Sequence, residues 1–260
     1  MDKSSFAGLF VALGGILLGL AMEGGKMMQI LQPTAALIVF GGTLGAVMIQ
    51  FPLPVVLAAF ASLVQVFFER ESDLLALVKD MIGYAHKARK SGIVSLDAEL
   101  EGIKDPFMKK SLMLAVDGTE PAELRAIMQV ELDCRAERDE DLPKVFESAG
   151  GFSPTIGIIG AVLGLIQVMQ HLDNISEVGR GIAVAFVATL YGVGSANIFF
   201  LPASGKLKIR YREEQLRREI VLEGVVSILE GMNPRMLETK LLGFIADSQK
   251  QEAPKEAHEA

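Results

Sequence analysis

Four apolar stretches, Phe6–Met22, Thr34–Phe51, Pro154–Gln170 and Ile182–Leu201, run without a single Asp, Glu, Lys, Arg or His. A helix needs about 20 such residues, within a range of roughly 17–25, to cross the hydrocarbon core of a bilayer. It is also a form that satisfies every backbone N–H and C=O within its own segment, where no water is available to do so. The chain is therefore expected to be an all-α polytopic membrane protein with four transmembrane helices. Composition agrees, since half of the 260 residues are hydrophobic, with 26 Gly and no Trp. The first run ends in Met22-Glu23-Gly24-Gly25 without a small-x-small cleavage site, so it reads as a retained span rather than a signal peptide.

A fifth apolar stretch, Leu53–Phe68, competes with this count. Pro52 and Pro54 interrupt the preceding helix, and Gln65 leads into Glu69-Arg70-Glu71, so it reads as an interfacial or cytoplasmic helix. Orientation follows from basic residues near the span ends. Lys206, Lys208, Arg210 and Arg212 crowd the end of the fourth span. The two short links, around Lys26 and over Asp173–Gly181, carry only Lys26 and Arg180. Both termini are expected in the cytoplasm.

The expected organisation is spans one and two over 1–51, a cytoplasmic helical domain over 52–150, and spans three and four over 151–203. C-terminal cytoplasmic helices follow over 204–247, and a disordered tail over 248–260. Within the middle region Ser72-Asp73 can cap a helix running to about Lys90, stopped by Ser91-Gly92. Asp117-Gly118 is a turn, and Thr119 can cap a helix with Pro121 in its first turn. Its apolar stripe is Leu124, Ile127, Met128 and Leu132, and it should approach the third span past Pro143 and a break at Gly150-Gly151. Lys206–Glu230 reads as a charged amphipathic helix, and Asn233-Pro234 opens a last helix to about Ile245.

Several chemistries are excluded. A net charge of −7 does not suit nucleic-acid binding, which needs cations to neutralise phosphates. Cys134 is the single cysteine, an incidental thiol that leaves no disulfide framework or cysteine zinc cluster. His86, His171 and His258 show no ligand spacing, so no metal site is expected. Lys26 follows two glycines, yet counting from Gly19 the lysine of a phosphate-binding loop would fall on Gly25, and Met27 replaces its Ser or Thr. With no nucleophile elbow or zinc-protease helix either, an enzyme is not expected.

The spans do carry small residues at four-residue spacing: Gly15/Gly19, Gly41/Gly45, Gly157/Ala161, Gly160/Gly164 and Gly192/Ala196. Such rows let helix backbones approach closely in lipid. The last two spans also carry uncharged polar groups, Thr155, Thr189, Tyr191, Ser195 and Asn197. Thr and Ser can satisfy themselves on their own helix's carbonyls, whereas a carboxamide such as Asn197 is expected to face a partner or a cavity. Proton or sodium transport usually employs an intramembrane carboxylate or histidine. None is present, so an ion-moving role requires the titrating group to come from another polypeptide.

Four local motifs then carry a resemblance. They are Phe152-Ser153-Pro154-Thr155-Ile156-Gly157-Ile158-Ile159-Gly160-Ala161-Val162-Leu163-Gly164-Leu165; Ala188-Thr189-Leu190-Tyr191-Gly192 with Asn197 and Leu201-Pro202; Glu223-Gly224 through Glu230-Gly231-Met232-Asn233-Pro234-Arg235; and Ala88-Arg89-Lys90-Ser91-Gly92 with Asp97. Together they resemble the MotA/PomA family of bacterial flagellar stator subunits. The resemblance implies an inner-membrane homopentamer around a MotB-like single-span partner dimer whose aspartate carries the ion, with torque delivered to the rotor for flagellum-dependent motility and chemotaxis. It assigns Thr189, Ala161, Thr155, Tyr191 and Asn197 to the ion pathway, and Pro154 and Pro202 to conformational coupling. It also assigns Arg89, Lys90 and Asp97 to contact with the rotor protein FliG. On chemistry alone those three charges read as a solvated helix face, and only the resemblance lifts them above that. Pro154 suits a first helical turn, and Pro202 an end or kink of the fourth helix.

Sodium-driven relatives have threonine where this chain has Ala161, so the expected ion is a proton rather than sodium, with no cofactor. The alternatives are an ExbB/TolQ-type energising subunit, which usually has one span before its cytoplasmic region, a small-solute transporter, and a structural scaffold. A transporter should show internal repeats or broken helices at mid-membrane.

Overall fold

A computed structural model of the chain describes residues 2–68 and 73–245, and every regular element among them is helical. Helix α1 (Lys3–Met22) is capped by Asp2, whose carboxylate accepts the Ser4 and Ser5 N–H groups that the first turn leaves unbonded. A single turn, α2 (Met27–Ile30), sits in the link. Helix α3 (Pro33–Gln50) starts on proline, whose missing N–H costs nothing there, and contains a π turn at Leu37–Gly41. Extended backbone at Phe51 and Pro52 ends it, and α4 (Leu53–Phe67) follows with Pro54 in its first turn. At 15 residues α4 is shorter than a span.

Helix α5 (Leu74–Ser91) is capped by Asp73 and stopped by Gly92 at φ +81, a conformation that suits glycine. Ser72, expected to share that cap, lies outside the described residues, as does the expected tail over 248–260. A 3₁₀ stretch, Ile93–Glu99, leads to α6 (Pro106–Val116), capped by Asp105. Helices α7 (Pro121–Gln170) and α8 (Ile175–Leu229) are very long, and α9 (Pro234–Leu242) is capped by Asn233. Among the described residues, α1, α3, α7 and α8 are the four helices long and apolar enough to cross a membrane.

The chain divides into two compact units, one within Met1–Arg70 and Asp139–Arg210, the other within Glu71–Arg138 and Tyr211–Ala260. The second has a conventional core. Leu124, Met128 and Leu132 of α7 are buried there with Leu77, Met81, Leu112, Val225, Leu237 and Leu241. Ile127, expected in the same stripe, is 40% exposed because it stands at the edge of the 124–128–132 row. Each fully buried aliphatic side chain contributes about 1.5–3 kcal/mol, so this core outweighs the surface ion pairs around it, at about 0–1 kcal/mol each.

One carboxylate is better placed. Glu223 of α8 pairs with Arg125 of α7 at 2.8 Å and with Lys240 of α9, tying three helices together. Desolvation raises its pKa, but the hydrogen bonds from Lys240 and Arg125 outweigh that and leave it lowered. Lys110 likewise lowers the pKa of Glu131 through a 2.6 Å hydrogen bond.

Several expectations about helix ends are corrected. No break occurs at Gly150-Gly151; α7 runs through them, through Pro143 and through Pro154, which is therefore interior rather than in a first turn. A Cβ on Gly150 would lie 2.6 Å from Leu201 Cδ2, so this glycine serves close packing and not termination. Pro202 does not end α8. A π turn at Ala196–Phe200 precedes it and absorbs the change of hydrogen-bond register. The second link shrinks to His171–Asn174, because Asn174 caps α8 and places Gly179, Arg180 and Gly181 inside it. The first bond of α7 joins Leu124 N–H to the Glu120 carbonyl, which puts Glu120 in the cap position and Thr119 one residue outside.

Both lowered carboxyls favour the folded state above their ordinary value of 4.5 and lose that contribution as the pH falls through their lower folded values. Thermal unfolding of the purified protein should show Tm falling below about pH 4.5. Glu223→Gln should flatten that dependence.

Candidate functional site

In the first unit α7 and α8 meet along glycine. A Cβ on Gly157 would stand 2.9 Å from the Ala188 carbonyl oxygen, and one on Gly164 would stand 2.7 Å from that of Gly181. From the opposite side, a Cβ on Gly192 would be 2.6 Å from the Ser153 carbonyl oxygen. These are backbone-on-backbone approaches that no side chain permits, and in lipid such packing drives helix association. The row on α8 is Gly181, Ala185, Ala188 and Gly192, all buried. Gly41 and Gly45, by contrast, would meet nothing within 4 Å, nor would Gly15 and Gly19. Helix α3 joins the pair through Ala35 and Val39, buried with Val187 and Ala188.

The polar groups foreseen in these spans divide by what they touch. Thr189 Oγ1 donates to the Ala185 carbonyl at 3.2 Å, and Thr155 Oγ1 to that of Phe152 at 2.7 Å. Asn197 Nδ2 donates to the Val193 carbonyl at 2.9 Å, on its own helix. A hydroxyl that donates to its own helix still offers its oxygen lone pairs as acceptors. Thr189 lies against Gly157, its Cα 3.5 Å from the position of an added Cβ there, and Ala161 follows one turn along the same α7 face. Thr155 and Asn197 are exposed, while Thr189 and Ala161 are half-buried.

Tyr191 is differently engaged. Its hydroxyl donates to the Ile30 carbonyl at 2.5 Å and accepts the Gln32 N–H at 3.3 Å, and its ring stacks on Phe40. It pins the entry of α3 to α8. Ser153, absent from the foreseen set, is fully buried and bonds across the helix pair to the Gly192 carbonyl at 3.1 Å and to Ser195 Oγ at 2.7 Å. Its place beside Pro154 was the available signal. Thr43 is also buried, with no protein partner for its hydroxyl among the described residues.

Pro154 interrupts hydrogen bonding within α7 one residue beyond Ser153. Pro202 stands on α8 just past the π turn, and both prolines mark places where the ladder is incomplete. In the second unit Arg89 and Lys90 occupy the exposed last turn of α5, and Asp97 is exposed on the 3₁₀ stretch. A 2.5 Å ion pair between Lys87 and Glu99 holds these two segments together.

A glycine-packed pair of helices with polar, uncharged walls is the build of a channel subunit, and comparison with known proteins agrees. Residues 99–220 match the model of the MotA/TolQ/ExbB proton channel family, and residues 6–92 that of Motility protein A N-terminal. Motility protein A of Bacillus subtilis (strain 168) is 36% identical over 247 residues, 94% of this chain and 91% of that one. The solved structure of C. jejuni MotAB superposes with a TM-score of 0.91 at 29% identity, covering 100% of both chains. The flagellar MotAB stator complex from Bacillus subtilis does so at 0.86 and 34%, covering 96% and 99%. The chain belongs to the MotA family. It is a flagellar stator subunit, a channel component through which ion flow becomes torque, and not an enzyme.

Gly192→Ala should lower the stability of the purified protein by about 1–3 kcal/mol, since backbone faces the new methyl. Gly194→Ala, with nothing within 4 Å of the added carbon, should be neutral or stabilising. Paired thermal melts check this. Tyr191→Phe should cost about 1 kcal/mol by removing the bonds to Ile30 and Gln32, read in the same melts.

Proposed function

We propose that α7 and α8 form the wall of a proton path around a partner that brings the titrating carboxylate. The observation that carries this is the joint between them: a glycine-lined contact bearing the Thr189 hydroxyl, in spans with no ionisable side chain. A wall of acceptors can orient water or a protonated acid without trapping the proton. The MotAB complexes among the similar structures support a MotB-type partner, with a pentamer of this chain around its dimer. Ala161 favours a proton over sodium, because a methyl cannot replace part of a hydration shell. Thr155 and Asn197 extend the same polar wall, and Tyr191 holds α3 against it.

Pro154 and Pro202 let the helix ladder yield where the path meets the cytoplasm. In this reading both termini are cytoplasmic, and the regions 52–150 and 204–247 form the cytoplasmic part. The ion pairs from Asp2 to Lys206 and Arg210 support the first of these by bringing residue 2 to the basic cluster after the fourth span. Arg89, Lys90 and Asp97 meet FliG.

The test is swimming and proton uptake in a strain lacking its own stator, with the partner co-expressed. Thr189→Val and Pro154→Ala should each cut proton uptake and speed by about tenfold, equivalent to about 1.4 kcal/mol on the barrier. Arg89→Glu with Lys90→Glu should slow swimming while uptake persists. Speed should not follow sodium concentration; a sodium-dependent speed sinks the proton assignment, and full speed in Thr189→Val sinks the wall.

A further inference from the structure

Helix α1 buries none of its residues, and a Cβ at Gly8, Gly14, Gly15 or Gly19 would meet nothing within 4 Å. What fastens it is concentrated at Asp2, which is 4% exposed. Oδ1 accepts the Ser4 N–H at 3.0 Å, the Ser4 hydroxyl at 2.6 Å and the Ser5 N–H at 3.3 Å. Oδ2 pairs with Lys206 Nζ and, at 3.1 Å, with Arg210 Nη2. The Asp2 backbone N–H donates to the Phe67 carbonyl at 2.9 Å, and the Phe6 and Phe67 rings lie 5.3 Å apart.

Three elements thus converge on one residue: the start of α1, the end of α4, and the part of α8 beyond Pro202. Lys206 and Arg210 are four residues apart and so share a helix face. The hydrogen bond from Lys206, then that from Ser4, hold the Asp2 carboxyl well below the usual carboxylate range. An exposed ion pair would contribute little. This carboxylate is buried, shared between two cations and engaged in a helix cap, so its removal strips the anion from two part-buried charges.

We propose that Asp2 is a positioning residue of the motor, a latch that fixes the first span and the end of α4 to the α8 segment following the π turn and Pro202. That irregularity is where α8 yields most readily. With the latch closed, residues 203–210 move together with α1 and α4, so a rearrangement at the joint displaces three elements instead of one.

The functional half of this inference rests on the stator reading, so the latch is measured separately from motility. The full-length chain, co-expressed with its MotB-type partner, is compared as wild type, Asp2→Asn, Asp2→Lys, Lys206→Asp and the swap Asp2→Lys/Lys206→Asp. The swap restores one carboxylate between two cations. Membrane amount, Tm of the purified complex and swimming speed are read for each. Asp2→Asn should swim at least about threefold slower at wild-type membrane amount, and Asp2→Lys should not swim.

The swap should recover at least about half of the lost Tm and speed, the remainder reflecting the forfeited cap. A swap no better than either single change means there is no latch. Restored Tm in the swap with full speed in Asp2→Asn makes the contact merely stabilising and overturns the motor role. Should Asp2→Asn fail to reach the membrane, the swap decides by the same two readouts. A wild-type chain that cannot drive swimming overturns the stator reading and with it the motor role, while the Tm comparison still reports on the latch.

Discussion

Backbone touches backbone where α7 passes α8, and the rest of the first unit depends on that contact. Water is absent from the bilayer core, so apolar surface gains nothing by leaving lipid for protein. Close van der Waals approach must supply the attraction, and it requires residues without side chains at Gly157, Gly164, Gly181 and Gly192. Once the two helices are this close, Ser153 can reach the Gly192 carbonyl and Ser195, and Thr189 is held beside Gly157. The polar groups between these helices are placed by the glycines rather than by one another.

The second unit is held by different physics. Its helices bury aliphatic side chains from water, and Glu223 adds a three-helix tie through Arg125 and Lys240. Arg89, Lys90 and Asp97 stay exposed on segments braced by the Lys87–Glu99 pair. Among the described residues none of these three charges forms an ion pair within the chain. The uncharged helix joint of the first unit and the charged helices of the second are thus held by different forces.

Much of the fold was legible because it is local. Asp73 and Asn233 cap as their side-chain chemistry demands, Gly92 stops α5, and Pro52 and Pro54 separate α3 from α4. Errors arose where one residue type serves two ends. Gly150 looked like a terminator, but Leu201 packs on it and α7 continues. Pro202 allowed either an end or a kink, and the end is excluded because the π turn before it carries α8 onward. Apart from these, the Tyr191 hydroxyl has an engagement that its own span does not announce, with the link at Ile30 and Gln32. The tie from Asp2 to Arg210 gave no signal, since the two lie 208 residues apart.

The sequence by itself determined that this chain spans a bilayer four times, where some of its helices are capped, and that its spans bring no titrating group. Those properties depend on apolar length and on hydrogen bonds closed within a few residues. Only the tertiary structure decided which glycines pack and which face open space, which hydroxyls cross between helices, and what Asp2 holds. These depend on how far each helix is rotated and shifted along its neighbour. A heptad of apolar residues leaves both free, and a steric fit between two backbones fixes them.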